Sequence, residues 1–138
     1  MLHSLRVADY MATKLVTLTP DTSIDQAIRE LLTHRISGAP VIEGAELVGM
    51  FSESDCLEEA LQSGYHNMSS GQVKDVMSTQ VVFVSPEDSI LQVAEIFINK
   101  GRHRLPVKDH NGKLVGQISR RDVIRAMDDI THSATAEA

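Results

Sequence analysis

Val7-Ala8-Asp9-Tyr10-Met11 returns later in the chain as Val73-Lys74-Asp75-Val76-Met77, and the residues that follow each copy keep step with one another. Val16, Pro20, Ser23, Ile24 and Gln26 have counterparts in Val82, Pro86, Ser89, Ile90 and Gln92, and Pro40-Val41 in Pro106-Val107. After an insertion, Leu47-Val48-Gly49 matches Leu114-Val115-Gly116, and Ser52 to Asp55 matches Ser119 to Asp122. Two copies of one supersecondary unit therefore fill the chain. Repeat 1 is expected at 1–62 and repeat 2 at 73–130. A linker rich in Ser, Gly and Asn is expected at 63–72, and a disordered tail at 131–138.

Each copy reads as β-α-β-β-α. An extended segment, Leu15 to Leu18 or Val81 to Val84, ends near a proline, and a capping box, Ser23 to Gln26 or Ser89 to Gln92, opens a helix. The apolar residues then follow helical spacing: Ile24, Ala27, Ile28 and Leu31 in one copy, Ile90, Val93, Ala94 and Phe97 in the other. Strands at Ala39–Ile42 and Leu47–Phe51, and at Leu105–Lys108 and Lys113–Ile118, read as hairpins, the second turned by Asp109-His110-Asn111-Gly112. A last helix begins near Ser52 or Ser119. The fold class is α+β. One such unit is marginal alone, so the two copies are expected to pack sheet to sheet with pseudo-two-fold symmetry and to leave two equivalent clefts.

Composition narrows the function. The chain has 138 residues, 42% hydrophobic and 23% charged, which suits one folded unit without room for a second catalytic domain. A formal net charge of −6 opposes general attraction to nucleic acid or to an anionic membrane. No apolar run approaches the roughly 18 residues of a membrane span, and Met1 to Tyr10 lacks the pattern of a signal peptide, so the expected address is cytoplasmic. Cys56 is the single cysteine, which excludes an intramolecular disulfide and reads as a small, half-buried apolar residue. The six histidines are scattered, without the paired spacing of a metal site. No nucleophile triad, Walker loop or Gly-rich dinucleotide fingerprint occurs, and an enzyme is not expected.

The short element with most chemistry is Ser119-Arg120-Arg121-Asp122, echoed by Ser52-Glu53-Ser54-Asp55, where a strand ends and a helix starts. Free N–H groups at a helix start favour phosphate, and a carboxylate there can accept from a ribose diol. The same spacing is also an ordinary capping box, the better reading of either element taken singly.

The duplicated organisation, the Pro-Val strand and the terminal S-x-x-D resemble the CBS domain pair, or Bateman module, over nearly the whole chain. The resemblance implies binding of AMP, ADP or ATP, or of S-adenosylmethionine, as a regulatory ligand, with magnesium able to accompany ATP phosphates and no obligatory cofactor. It further implies that His34 to Val41 contains the base-contacting segment and that His103 to Pro106 contacts phosphate. In the stronger site Ile36 and Ser37 would frame adenine, Thr17 and Ile24 would line base and sugar, and Asp122 would hold the ribose hydroxyls. His103, Arg104, Ser119 and Arg121 would face phosphate, where an Arg fork matches the oxygens.

The weaker site would use Ser52, Ser54 and Asp55 with Phe83, Ile90, Arg102 and His103. It is expected to be weaker because Ser37 and Gly38 stand where His103 and Arg104 stand in the other copy, and Glu53 adds negative charge. Leu57, Leu61, Ile124 and Met127 on the last helices offer apolar surface for a homodimer, and an unidentified regulated protein would read the ligand state, as in energy sensing. The alternative is a ligand-independent interaction scaffold with degenerate clefts.

Overall fold

The computed structural model describes residues 2–63 and 71–137. The expected linker at 63–72 lies mostly outside them. Two compact units emerge, Met1–Leu15 with Val82–Ala138, and Val16–Val81. The sequence repeats and the compact units thus divide the chain at different places, because each unit draws its opening segment from the other repeat. Val7 is fully buried in the core formed by Val84, Ile90, Val93, Phe97, Leu105, Val107, Ile118, Val123 and Ala126. Val73 is likewise buried with Leu18, Ile24, Ala27, Leu31, Ala39, Val41 and Phe51.

In the 16–81 unit the order is α1 (Ile24–His34), β1 (Gly38–Glu43), β2 (Glu46–Ser52), α2 (Glu53–Ser63) and a short α3 (Val73–Val76). The other unit has two 3-10 turns (Leu2–Ser4 and Val7–Asp9), then α4 (Ile90–Lys100), β3 (Arg104–Lys108), β4 (Leu114–Ser119) and α5 (Arg120–Glu137). Each hairpin is a two-stranded antiparallel sheet, β1 with β2 and β3 with β4.

The helix starts are set by the expected caps. The Ser89 hydroxyl accepts from Gln92 N at 3.1 Å while Gln92 Oε1 accepts from Ser89 N at 2.8 Å, a complete reciprocal box. Only half of the box forms at α1: Ser23 Oγ accepts from Gln26 N, but the Gln26 side chain turns outward and donates to Glu30. At their far ends both helices close in the left-handed region, α4 with Gly101 and α1 with Arg35, whose φ is 55°. The Asp109 turn is held by its own carboxylate, which accepts from Asn111 N and Lys113 N. Those bonds hold the Asp109 carboxyl below its ordinary pKa.

The first strand of each copy is corrected. Leu15–Leu18 and Val81–Val84 are not strands; each makes one parallel bridge, Leu18 to Val41 and Val84 to Val107. Leu18 N donates to Pro40 O and Leu18 O accepts from Ile42 N, with the same pair of bonds around Val84. The neighbouring strand can extend the ladder no further, because Pro40 and Pro106 have no N–H, and Pro20 and Pro86 soon turn the segment away. The last helix, α5, runs from Arg120 to Glu137.

The repeated V-x-D-x-M segment has a specific mechanical role. After it, Ser78 pairs with Met50 on the outer edge of β2, and Ala12 pairs with Gln117 on the edge of β4. Met77 then crosses Gly49 and Met11 crosses Gly116 so closely that a β-carbon at Gly49 would lie 2.7 Å from Met77 Sδ and 2.9 Å from Ser78 O. The two matched glycines are required by the two matched methionines.

Candidate functional site at the start of the last helix

Strand β4 ends at Ser119 and α5 begins at Arg120, so the first turn of α5 carries Arg121 and Asp122 beside the end of the hairpin. Asp122 Oδ2 accepts from Ser119 N at 2.8 Å and from Ser119 Oγ at 3.0 Å, and Asp122 N approaches Ser119 Oγ at 3.2 Å. The capping reading of S-x-x-D therefore holds. Its second oxygen, Oδ1, accepts from Arg125 at 2.8 Å, in a pair whose carboxylate side chain is 15% exposed. Arg125 also donates to Tyr10 O at 3.0 Å, and Tyr10 Oη donates to Asp129. The carboxylate of Asp122 holds the Arg125 guanidinium more firmly protonated than usual, chiefly through that hydrogen bond.

Around Asp122 a cavity of about 160 Å³ is lined by Ala12, Arg104, Gln117, Ser119 and Asp122. Three residues expected in the stronger site, Arg104, Ser119 and Asp122, are thus brought together in one unit. An acceptor, a hydroxyl and a permanent cation face one small space. Its volume suits a fragment of a ligand such as a sugar or phosphate, being below the usual range for a whole drug-sized molecule. His103 and Arg121 are exposed. Arg102 is exposed as well, and its carbonyl accepts from Arg120.

The other unit arranges its counterparts differently. Ser52 and Asp55 repeat the cap, with Ser52 N donating to Asp55 Oδ2 at 2.8 Å. The place of Arg125 is taken by Glu58, so no cation pairs with Asp55 among the described residues. Ile36, Ser37 and Ser54 line a groove of about 730 Å³ between α1 and α2, together with Arg35, Glu53 and Cys56. The groove mixes residues expected in both sites. Burial raises the pKa of the Cys56 thiol, with Asp55 adding to it.

Thr17 is partly buried in the extended segment before Leu18. Ile24 and Ile90, expected beside a ligand, are core residues at 2% and 0% exposure, because the first apolar position of each helix packs under its own hairpin. Phe83 is 41% exposed, and the Lys108 ammonium lies 3.8 Å from its ring centroid.

Sequence reasoning passed over Arg120, Arg125 and Lys108. Arg125 had a local signal, since Asp122 and Arg125 have the i,i+3 spacing of neighbours on a helix. Among the described residues, no group of His, Cys, Asp and Glu side chains could hold a metal ion, and no helix is long and apolar enough to cross a membrane.

Comparison with known proteins gives the arrangement its context. The family model for the CBS domain matches residues 7–62 and 73–129. The crystal structure of CBSX2 in complex with AMP is 30% identical and superposes with a TM-score of 0.82, covering 93% of this chain and 99% of that one. CBSX1, a chloroplastic CBS domain-containing protein of Arabidopsis thaliana, is 30% identical over 160 residues, covering 96% of this chain and 68% of that protein. An uncharacterised protein of Methanocaldococcus jannaschii is 31% identical over 125 residues, 89% of this chain but only 44% of its own length. The α+β fold with two antiparallel hairpins, the doubled family match and the likeness to a solved CBS pair agree: the chain belongs to the CBS domain family.

Proposed function

We propose that this chain is a regulatory module that binds an adenine nucleotide and does no chemistry on it. The observation that carries the reading is the convergence of Arg104, Ser119 and Asp122 on one cavity. Asp122 accepts from the ribose hydroxyls, and Arg104, with His103, Ser119 and Arg121, meets the phosphate. AMP is the first ligand to test, since a relative 30% identical was solved with it. ADP, ATP and S-adenosylmethionine follow, the nucleotides with and without magnesium.

The counterpart at Ser52, Ser54 and Asp55 is the weaker binder. Glu53 and Glu58 stand where Arg120 and Arg125 stand in the other copy, and a phosphate there meets carboxylates instead of guanidinium groups. Leu57 and Leu61 are 67% and 88% exposed, and Ile124 and Met127 are 60% and 46% exposed, which supports a homodimer through these helix faces. Ligand binding then alters a surface read by a regulated protein in the cytoplasm.

One observation favours a second reading, a scaffold that needs no nucleotide. Both oxygens of Asp122 already have partners inside the protein. Thermal unfolding in the presence of AMP, ADP, ATP or S-adenosylmethionine separates the two. A ligand held only by the native state adds about 2.7 kcal/mol at a hundred times its dissociation constant. No shift with any of the four leaves the scaffold reading standing.

A further inference from the structure

We infer that Arg120 is the positioning residue that holds the Arg102-His103-Arg104 segment in place for phosphate, an inference that rests on the nucleotide reading above. Arg120 and Arg121 are adjacent in sequence, but a helix separates neighbouring side chains by about a quarter turn, so only one can face back toward α4. Arg120 takes that direction. Its Nε donates to Arg102 O at 2.7 Å, and a terminal nitrogen donates to Phe97 O at 2.9 Å. Its backbone N donates to His103 O at 3.1 Å, and its guanidinium carbon lies 5.9 Å from the centroid of the Phe97 ring.

These contacts join three parts of the unit. Phe97 lies in the last turn of α4, whose carbonyls have lost their helical partners. Arg102 and His103 follow Gly101, which lies in the left-handed region at a φ of 64°, a conformation that glycine adopts without strain. Arg120 opens the helix that carries Asp122. A planar guanidinium donates along two fixed directions at once, so it fixes the segment relative to the sugar-holding carboxylate as well as tying it down. Arg104, the first residue of β3, inherits that placement.

The other copy lacks the device. Glu53 occupies the matching position, and its backbone N donates to Ser37 O at 2.9 Å, the same main-chain contact that Arg120 makes to His103. A carboxylate has no hydrogen to donate to the carbonyls at the end of α1. The side-chain clamp belongs to one repeat alone, the repeat whose segment carries the basic residues.

AMP and adenosine titrated calorimetrically into the wild-type chain, Arg120→Gln and Arg120→Lys test the assignment, alongside amide hydrogen exchange at Arg102, His103 and Arg104 in the ligand-free proteins. Arg120→Gln is expected to weaken AMP by about tenfold while leaving adenosine within about twofold, because only the phosphate depends on the segment. Exchange at the three amides should rise, with Ala39 and Val41 of the other unit unchanged. Arg120→Lys, which keeps charge and stem but not the fork, should fall between, and it carries the test if Arg120→Gln does not fold. Equal losses for AMP and adenosine, or no loss for either, would overturn the inference and leave Arg120 a stabilising residue only. A wild-type chain that binds neither molecule overturns the nucleotide reading and this role with it, whatever the exchange data show.

Discussion

Arg125 donates to the one oxygen of Asp122 that Ser119 leaves open, at 2.8 Å, so the acidic residue at the head of α5 serves as helix cap and ion-pair partner together. A carboxylate offers about four acceptor positions, and three are filled here. A ribose diol meeting Asp122 therefore finds one position vacant and gains another only if Arg125 or the Ser119 hydroxyl gives way. Asp55, without a cation beside it, has the cap alone.

The two roles of Asp122 separate by substitution. Asp122→Ala and Asp55→Ala are each expected to cost about 1 kcal/mol through loss of the cap. Arg125→Met removes a pair whose arginine is 56% exposed, and surface screening limits its cost to about 0.5 kcal/mol. Urea unfolding of the three variants checks the order. Asp122→Ala removes cap and pair together, so a loss for Arg125→Met as large as that for Asp122→Ala would show that the ion pair, not the cap, dominates.

Gly49 is expected to tolerate no side chain. Gly49→Ala places a methyl group against Met77 and 2.9 Å from the carbonyl oxygen of Ser78, and main chain cannot step aside as a thioether can. Overpacking of this kind costs about 1–3 kcal/mol. Gly116→Ala should cost a similar amount, since the added carbon would lie 2.5 Å from Met11 Sδ and 3.0 Å from Ala12 O. Thermal unfolding of both variants reads the cost directly.

Tyr10 gives a pH signature for the attachment of the amino-terminal segment. Its phenol is raised above its ordinary value, first by the hydrogen bond to Asp129, then by burial and by the charge of Asp129. Because the folded pKa lies above the unfolded one, the contribution is fully present below the unfolded value and disappears as pH rises through the folded one. Asp129→Asn should return the phenol toward its ordinary value. The stability difference between wild type and Asp129→Asn should then shrink as the medium becomes strongly alkaline. Tyrosinate absorbance, read in a Tyr65→Phe background, follows the group itself.

Local chemistry was legible in the sequence where one stretch decides its own structure. Ser23 and Ser89 cap the helices they precede, and Asp109 to Gly112 makes its own turn. Which copy of a repeated segment packs on which hairpin is not local. Val7 aligns with Val73, yet each anchors the sheet of the other repeat, and alignment alone is blind to that exchange. Gly49 and Gly116 held the missing clue, since a repeated glycine within a strand marks a close approach.

At the site, the S-x-x-D spacing singled out Ser119 and Asp122 and the family resemblance added Arg104, and the three line one cavity. Helical spacing places Ile24 and Ile90 in the cores, where they lie, and it is the family resemblance that put them beside a ligand as well. Spacing could not tell Arg120 from Arg121, whose directions depend on where α4 ends.

Calorimetric titration of AMP into the wild type, Asp122→Ala and Asp55→Ala bears on the central claim most directly. Loss of a charged acceptor at the Asp122 site should weaken the tighter binding event by about tenfold or more, while Asp55→Ala leaves it within about twofold. Unchanged AMP binding in Asp122→Ala, or an equal loss in both variants, would contradict it.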